Sequence, residues 1–179
     1  MHTAAQFRPG RLSDPGEAAK AAMASVACRH QRLTEEIAQL DTALAELVEH
    51  AAPPQLLDKQ GVATQVAGAL LVTVGDNPDR VGSDASFAAL CGASPVDASS
   101  GKQRRHRLNR GGDRQANSAL WRIVLVRMAH DPRTRAYVDR RTKEGKTPRE
   151  IIRCLKRYVA REVYKALVAH PGRDPAATG

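Results

Sequence analysis

The sequence predicts an all-α protein, and three observations favour that fold class. Ala, Leu, Val and Arg dominate the chain, whereas aromatic residues make up only 3% of its 179 residues. Small aliphatic side chains of this kind pack helices, while sheets draw on aromatic and β-branched residues. Apolar residues also recur at intervals of three and four, and capping residues or prolines mark the ends of the apolar segments. We therefore expect a helical arm followed by a compact helical domain.

The arm is predicted over residues 17–52, after a flexible leader at residues 1–16. Neither proline nor glycine interrupts it before Pro53. In its second half, one set of mostly apolar residues is spaced alternately four and three apart. This is the heptad spacing of a coiled coil or a helical hairpin. These seam residues are Val26, His30, Leu33, Ile37, Leu40, Leu44 and Leu47. We interpret His30, the polar member, as a residue that sets the helix register.

The compact domain is predicted over residues 53–169, with a disordered tail at residues 170–179. It begins with a helix-hairpin-helix-like segment, in which a short helix, a turn at Gly61 and a second helix follow one another. Exposed amides at such a turn can contact a phosphate. A purely structural glycine turn explains the pattern equally well, and both interpretations stay open.

Four further helices are predicted from their first residues. Ser83, Asp113 and Asp131 stand where N-cap residues are expected, and Thr147-Pro148-Arg149-Glu150 has the pattern of a capping box. The last of these helices is predicted to pack one broad apolar face, made of Ile151, Ile152, Leu155, Tyr158, Val159, Val163 and Leu167. One long basic loop, residues 96–112, separates the first two of these caps, and it has room for a short hairpin.

The charge of the chain indicates a polyanionic partner. The formal net charge is +9, and Lys and Arg crowd residues 102–165, whereas acidic residues are frequent in residues 35–49. Nucleic acid is the commonest polyanion bound by basic soluble domains. A solvated surface that is simply rich in arginine is the alternative.

Other classes of protein are disfavoured. The three cysteines, Cys28, Cys91 and Cys154, lack the spacing of a metal site, so we expect no metal ligands and buried thiols in a reducing cytoplasm. The first residues lack the apolar core of a signal peptide. Residues 66–74 are too few to span a bilayer. The sequence therefore predicts a cytoplasmic protein that does not bind membranes.

The basic loop holds the candidate site. Ser99, Ser100 and Gly101 precede a cluster of cations, Lys102, Arg104, Arg105, Arg107, Arg110 and Arg114. Guanidinium groups bind phosphate through two parallel hydrogen bonds, and nearby cations would stabilise a serine alkoxide that attacks phosphorus. Because Ser-Ser-Gly is also a frequent turn, spacing alone leaves a catalytic role open.

The motifs of the chain, in their order, resemble the DEDD insertion-sequence transposases of the 110/116/902 type, also called bridge-RNA-guided recombinases. The resemblance runs from about Asp14 to Val168. It rests on Asp14-Pro15, Gly61-Val62-Ala63, Gly75-Asp76, residues 87–95 (FAALCGASP), Ser99-Ser100-Gly101-Lys102, residues 108–114 (LNRGGDR) and residues 152–157 (IRCLKR). Two positions depart from the family pattern: Ala63 replaces a glycine, and Asp113 stands where asparagine is favoured.

The resemblance implies a function in DNA transposition and a two-part enzyme. An RNase-H-like part would hold Mg²⁺ with four acidic residues, and the C-terminal part would supply a serine that becomes covalently joined to DNA. The match places that nucleophile at Ser100, with Ser99 as the fallback, and makes the loop cations contacts to DNA phosphates or to a structured guide RNA. The arm would pair subunits into a homo-oligomer.

No strands and no spaced acidic quartet precede the arm, so the sequence predicts a truncated copy that lacks the nuclease domain. Such a chain is expected to hold no Mg²⁺ of its own and to be inactive alone, and whether it acts as an enzyme stays open. The alternative is a non-enzymatic, dimeric nucleic-acid-binding module that regulates a full-length transposase.

Overall fold

The computed structural model describes residues 2–75, 81–97, 106–107, 109 and 111–168. Its contacts divide the chain into two units, residues 1–47 and residues 48–179. Within the described residues the elements, in chain order, are α1 (His2–Ala5), α2 (Pro15–Ala51), α3 (Pro54–Leu57), α4 (Thr64–Val74), α5 (Asp84–Leu90), β1 (Val96–Asp97), β2 (His106–Arg107), α6 (Arg114–His130), α7 (Pro132–Lys143) and α8 (Pro148–Val168). The predicted all-α class is confirmed.

The first unit consists of α1 and most of α2. Ala27 is buried, and the Cys28 thiol lies 3.9 Å from the carbonyl oxygen of Ala5. The amide of Gly10 donates to the Glu17 carboxylate at 2.6 Å. The short helix α1 is a feature that the sequence did not indicate. Most of the heptad seam is exposed in this unit. The side chains of Val26, Leu33, Ile37, Leu40 and Leu47 are between 45% and 68% exposed.

The second unit is built around α6 and α8. Helix α6 packs against α4, α7 and α8, while α8 also contacts α3 and α5. The largest fully buried side chains of this core are Leu56, Leu70, Phe87, Leu120, Ile123, Val124, Ile151 and Val163. Helix α8 buries Leu155, Val159 and Leu167 as well, so its predicted apolar face is largely confirmed. Two residues of that face differ, because Tyr158 is exposed and Ile152 is half-buried.

The predicted caps begin the helices as expected. Ser83 and Ser86 form a reciprocal capping box at α5. The side chain of Asp113 accepts from the amide of Ala116 at 2.7 Å, and that of Asp131 accepts from the amides of Arg133 and Thr134. The Thr147 amide donates to the Glu150 carboxylate at 2.9 Å. Local side-chain chemistry therefore fixes where these helices start.

Two short strands lie within the basic loop, where the sequence left room for a short hairpin. Val96 pairs with Arg107 and Asp97 with His106, in antiparallel register. At the helix-hairpin-helix-like segment, the Gly61 turn packs against the backbone of Ile123, and Arg127 donates to the carbonyl oxygen of Gln60 at 2.9 Å. Contact with α6 thus provides a structural reason for a glycine at this turn.

Two glycines allow the end of the basic loop to press against the end of α5. Gly92 has a φ of +64°, and a Cβ atom on Gly112 would overlap the backbone nitrogen and Cα of Gly92. The amide of Asp113 donates to the carbonyl oxygen of Leu90 at 2.7 Å. Because no side chain fits between these backbones, the start of α6 is fixed beside the end of α5.

This contact predicts that substitutions at two neighbouring glycines differ sharply in their effect on the free energy of unfolding. Gly112→Ala is expected to lower the free energy of unfolding by roughly 1 to 3 kcal/mol, because the new methyl group forces backbones apart. Gly111→Ala is the control, since its Cβ would meet only the Asn109 side chain at 3.5 Å. Chemical denaturation measures both, and equal losses for the two variants would contradict the packing.

Candidate nucleic-acid interface

A cleft of about 1250 Å³ opens beside the turn between α7 and α8. One wall is the turn at residues 92–95, which follows α5, together with Asn109. The opposite wall is the end of α7, the turn that follows it and the first three turns of α8. The cleft lies entirely within the second unit. Its walls come from segments that are more than sixty residues apart in the chain. A hydrogen bond of 3.2 Å from Arg157 to Ser94 connects them.

The described residues that line the cleft carry a strong excess of positive charge. Glu150 is their one carboxylate, and it is occupied by the cap of α8. Backbone and side-chain hydrogen bonds from Thr147 hold the pKa of Glu150 below its usual value. The cations are Arg141, Lys146, Arg149, Arg153, Lys156 and Arg157. Because the carboxylate is engaged locally, it does little to neutralise these groups for an incoming ligand.

The helical register of α8 explains why these cations share one side. Arg149, Arg153 and Lys156 are spaced four and three residues apart, which places them on one face of the helix. Ile151 and Leu155 lie on the face that is buried against the core. Burial of the apolar face therefore turns the basic face towards the cleft.

Lys156 differs from the other cations because it is buried, with only 5% of its surface exposed. Its ammonium group donates to Oδ1 of Asn117 at 2.9 Å, and Nδ2 of Asn117 donates to the carbonyl oxygen of Cys91 at 2.8 Å. Burial lowers the pKa of Lys156, and the positive charge of Arg153 lowers it further. Among the described residues, Lys156 forms no ion pair with a carboxylate.

Ion pairs connect α8 to the neighbouring elements of the second unit. Arg161 donates to the Asp84 carboxylate at 2.7 Å, which keeps the pKa of Asp84 below its usual value. Glu162 lies 2.7 Å from Arg127 and 3.6 Å from Lys59. Burial alone would raise the pKa of Glu162, but its hydrogen bond to Arg127 and the two positive charges lower it overall. The basic wall is therefore attached to α5, α6 and the turn after α3.

An aromatic pair stands at the α7 side of the cleft. The rings of Tyr137 and Tyr158 meet edge-on, with centroids 5.8 Å apart and an interplanar angle of 86°. The guanidinium carbons of Arg140 and Arg141 lie 5.3 and 5.8 Å from the centroid of Tyr137. Burial, followed by the neighbouring Cys154 and Tyr158, raises the pKa of Tyr137 to about 12. Tyr137 is therefore neutral at physiological pH.

Most of the site predicted from the sequence falls outside the described residues. This holds for Ser99, Ser100, Lys102, Arg104, Arg105 and Arg110. Arg107 pairs with Val96 through its backbone, and Arg114 is exposed as the first residue of α6. Arg114 does not line the cleft, whereas Asn109 does. Their roles in binding and catalysis stay predictions.

The sequence did not predict the cleft cations as a binding site. The run IRCLKR contributes to the family resemblance, yet the sequence suggested no function for it. The signal was present in the spacing of Arg149, Arg153 and Arg157, a basic stripe opposite the apolar stripe of the same helix. The partners Ser94 and Asn117 could not be recognised, because only the folded chain brings them next to α8.

The expectation of buried cysteines is correct only in part. Cys91 is buried, and burial, with a smaller effect of Asp113, raises the pKa of its thiol to about 12. Cys28 and Cys154 are partly exposed, and Cys154 lines the cleft. Cys28 is partly exposed because its neighbours in unit 1 are short segments rather than a closed core.

No group of three or more His, Cys, Asp or Glu side chains in the described part of the chain has the arrangement to hold a metal ion. None of the helices in that part combines the length and the apolarity needed to cross a bilayer.

Comparison with known proteins places the chain near one family of mobile-element proteins. Residues 54–139 match the model of the transposase IS116/IS110/IS902 family. The chain resembles this family of transposases. The matched residues run from α3 into α7 and include the two paired strands.

Two curated relatives support the resemblance. The insertion element IS110 uncharacterized 43.6 kDa protein of Streptomyces coelicolor is 35% identical over 115 residues, which are 63% of this chain and 28% of that protein. The insertion element IS900 uncharacterized 42 kDa protein of Mycobacterium paratuberculosis is 26% identical over 156 residues, which are 82% of this chain and 39% of that protein. The chain thus spans less than half the length of the curated relatives it matches.

Proposed function

We propose that the chain is the C-terminal nucleic-acid-binding and strand-transfer part of an insertion-sequence transposase, and that DNA is its principal partner. The cleft between the 92–95 turn and α8 carries this proposal, because its lining has six cations, of which Arg141 pairs with Glu144, and one engaged carboxylate. The resemblance to the transposase family supplies the biological setting.

The dimensions of the basic face suit a polymer of phosphates. Arg149 and Arg157 are eight residues apart on α8, which corresponds to roughly 12 Å along the helix axis. A single phosphate cannot contact both ends of such a row, whereas successive phosphates can, since DNA rises ~3.4 Å per base pair. Arginine, which predominates here, binds phosphate through two parallel hydrogen bonds.

The basic loop joins this cleft at both of its ends. Strand β1 follows Pro95, a cleft residue, and Asn109 lines the cleft after β2. Ser99 and Ser100 follow β1 by two and three residues along the chain. On this proposal the Oγ atom of Ser100, with Ser99 as the fallback, attacks a DNA phosphorus atom; a phosphoserine ester forms as one P–O bond of the strand breaks and a deoxyribose hydroxyl leaves. The loop cations contact DNA or a guide RNA. Any Mg²⁺ would be held by the acidic residues of the nuclease-like part of the enzyme.

The arm is proposed to pair with a second copy of itself. Its exposed seam has heptad spacing from Val26 to Leu47, which is the pattern that buries apolar side chains between two helices. In a parallel pair, Glu36 would stand beside Asp41 of the second copy, and like charges would repel. An antiparallel pair can instead bring Arg29 beside Glu36, so we propose that orientation.

The cleft assignment predicts a reduced salt dependence of DNA binding. Replacing Lys146, Arg149 and Arg153 together with glutamine should lower the slope of log K against log salt by roughly 2 to 3, because each phosphate contact contributes ~0.9. The control variant replaces Arg122, Arg133 and Arg135, which are exposed, lie outside the cleft and change the net charge equally. Fluorescence anisotropy with a labelled duplex provides the slopes.

A third variant in the same experiment tests the loop, with Arg104, Arg105 and Arg107 replaced by glutamine. A slope that falls for this variant supports the loop contacts as well. If the cleft variant keeps the slope of the control variant, the cleft is not the DNA interface.

Ser100 is tested in the presence of the nuclease-like part of a full-length relative. Ser100→Ala is expected to leave the DNA dissociation constant within about two-fold, since a hydroxyl adds little to phosphate binding, and to abolish the covalent protein–DNA adduct. Ser99→Ala is the matched control and should retain the adduct, which is read on a denaturing gel.

Two outcomes would change the assignment. An adduct that persists in Ser100→Ala but disappears in Ser99→Ala moves the nucleophile to Ser99. If the unaltered chain binds DNA but never forms an adduct, the chain is better explained as the non-enzymatic module that regulates a transposase.

The arm proposal predicts a change in oligomeric state. Ile37→Asp combined with Leu40→Asp should yield monomers at concentrations at which the unaltered chain is dimeric, because it places four carboxylates within one dimer seam. The control, Ala38→Asp combined with Gln39→Asp, adds the same charge on the outer face. Light scattering after gel filtration gives the masses, and a monomeric unaltered chain would refute the proposal.

A further inference from the structure

We propose that the cleft binds an unpaired nucleotide of a single strand, with its phosphate against Lys156, Arg153 and Arg157 and its base against Tyr158. This inference rests on the proposed function and specifies which form of nucleic acid the cleft takes. It depends on a buried cation and an exposed aromatic side chain that line the same cleft.

The first observation is the burial of Lys156. A charged ammonium group is rarely buried unless an opposite charge or several hydrogen bonds offset the loss of hydration. Lys156 has one neutral acceptor, Oδ1 of Asn117, and the positively charged Arg153 lies near enough to lower its pKa further. Since the same side chain lines the cleft, an anion bound there would supply the missing opposite charge.

The second observation is how Arg157 is held. One of its guanidinium nitrogens donates to the hydroxyl of Ser94 at 3.2 Å, which fixes the side chain against the opposite wall. A guanidinium group held in this way keeps further N–H groups for a phosphate. Lys156 and Arg157 therefore both connect to the segment that follows α5, Lys156 through Asn117 and Arg157 directly.

The third observation is Tyr158, which was predicted to be part of the core. Instead, it is 55% exposed and lines the cleft. Its edge-on contact with Tyr137 restrains the ring without enclosing it. An aromatic ring beside a positively charged groove is the arrangement on which unpaired bases stack, because every base has an apolar face.

A duplex would not use this combination. In a duplex the base faces are covered by neighbouring base pairs, so a tyrosine beside the phosphates has no base to stack on. An unpaired nucleotide can place its phosphate on the cations while its base turns to Tyr158. The cleft is therefore expected to prefer single strands, and both DNA and RNA have the chemistry that it would recognise.

The test compares three labelled ligands by fluorescence anisotropy at one salt concentration: a twelve-nucleotide DNA strand, the RNA of the same sequence and the corresponding DNA duplex. The unaltered chain should bind single strands more tightly than the duplex. Tyr158→Ala should weaken single-strand binding about ten-fold or more, the usual effect of losing one stacking ring. Tyr158→Phe should retain the affinity, and duplex binding should change by less than about two-fold in either variant.

Lys156→Met tests the phosphate contact, with Lys165→Met as the control on the exposed surface of α8. Lys156→Met should weaken binding of both strands, whereas the control should not. A thermal unfolding curve checks that each variant folds. If Lys156→Met unfolds, competition by inorganic pyrophosphate replaces it, and failure of pyrophosphate to displace the strand would refute the phosphate site.

The outcomes separate this inference from the proposed function. Tighter binding of the RNA strand than of the DNA strand, or the reverse, supports the site and identifies which nucleic acid the cleft prefers. If duplex and single strands bind equally and Tyr158→Ala weakens neither, the inference is wrong while the DNA-binding proposal stands. If the unaltered chain binds none of the three ligands, the proposed function itself is wrong.

Discussion

The buried ammonium group of Lys156 is the constraint on which the rest of the second unit depends. It can remain buried only because Asn117 accepts its hydrogen bond, and Asn117 in turn is held by the carbonyl oxygen of Cys91 at the end of α5. This chain of contacts joins α8, α6 and the end of α5 beside the cleft. The same burial leaves a positive charge that the described residues do not neutralise, and this links the packing of the domain to an anionic ligand.

Close backbone packing gives the cleft its second wall. Gly92 and Gly112 bring the end of α5 against the start of α6, so the basic loop must leave and return beside the cleft. The loop that carries the serines favoured by the family resemblance therefore begins and ends beside the cleft that the cations line.

Local signals made most of the fold predictable. Ser83, Asp113, Asp131 and Thr147 each begin a helix as the sequence indicated, because a cap needs only residues three positions apart. The cleft was not predictable, since it depends on hydrogen bonds across more than thirty residues, such as that of Lys156 with Asn117. Tyr158 was misassigned to the core because periodicity cannot tell the edge of an apolar face from the rim of a cleft.

The central claim is that nucleic acid binds in the cleft beside α8. Photo-crosslinking tests it most directly, with a single-stranded oligonucleotide that carries bromodeoxyuridine at each position in turn, followed by mass spectrometry of the linked peptides. Crosslinks should concentrate in residues 141–158, with Tyr158 as the principal site, and excess unlabelled strand should suppress them. Crosslinks confined to the arm or to the outer surface of α6, with none in that range, would contradict the claim.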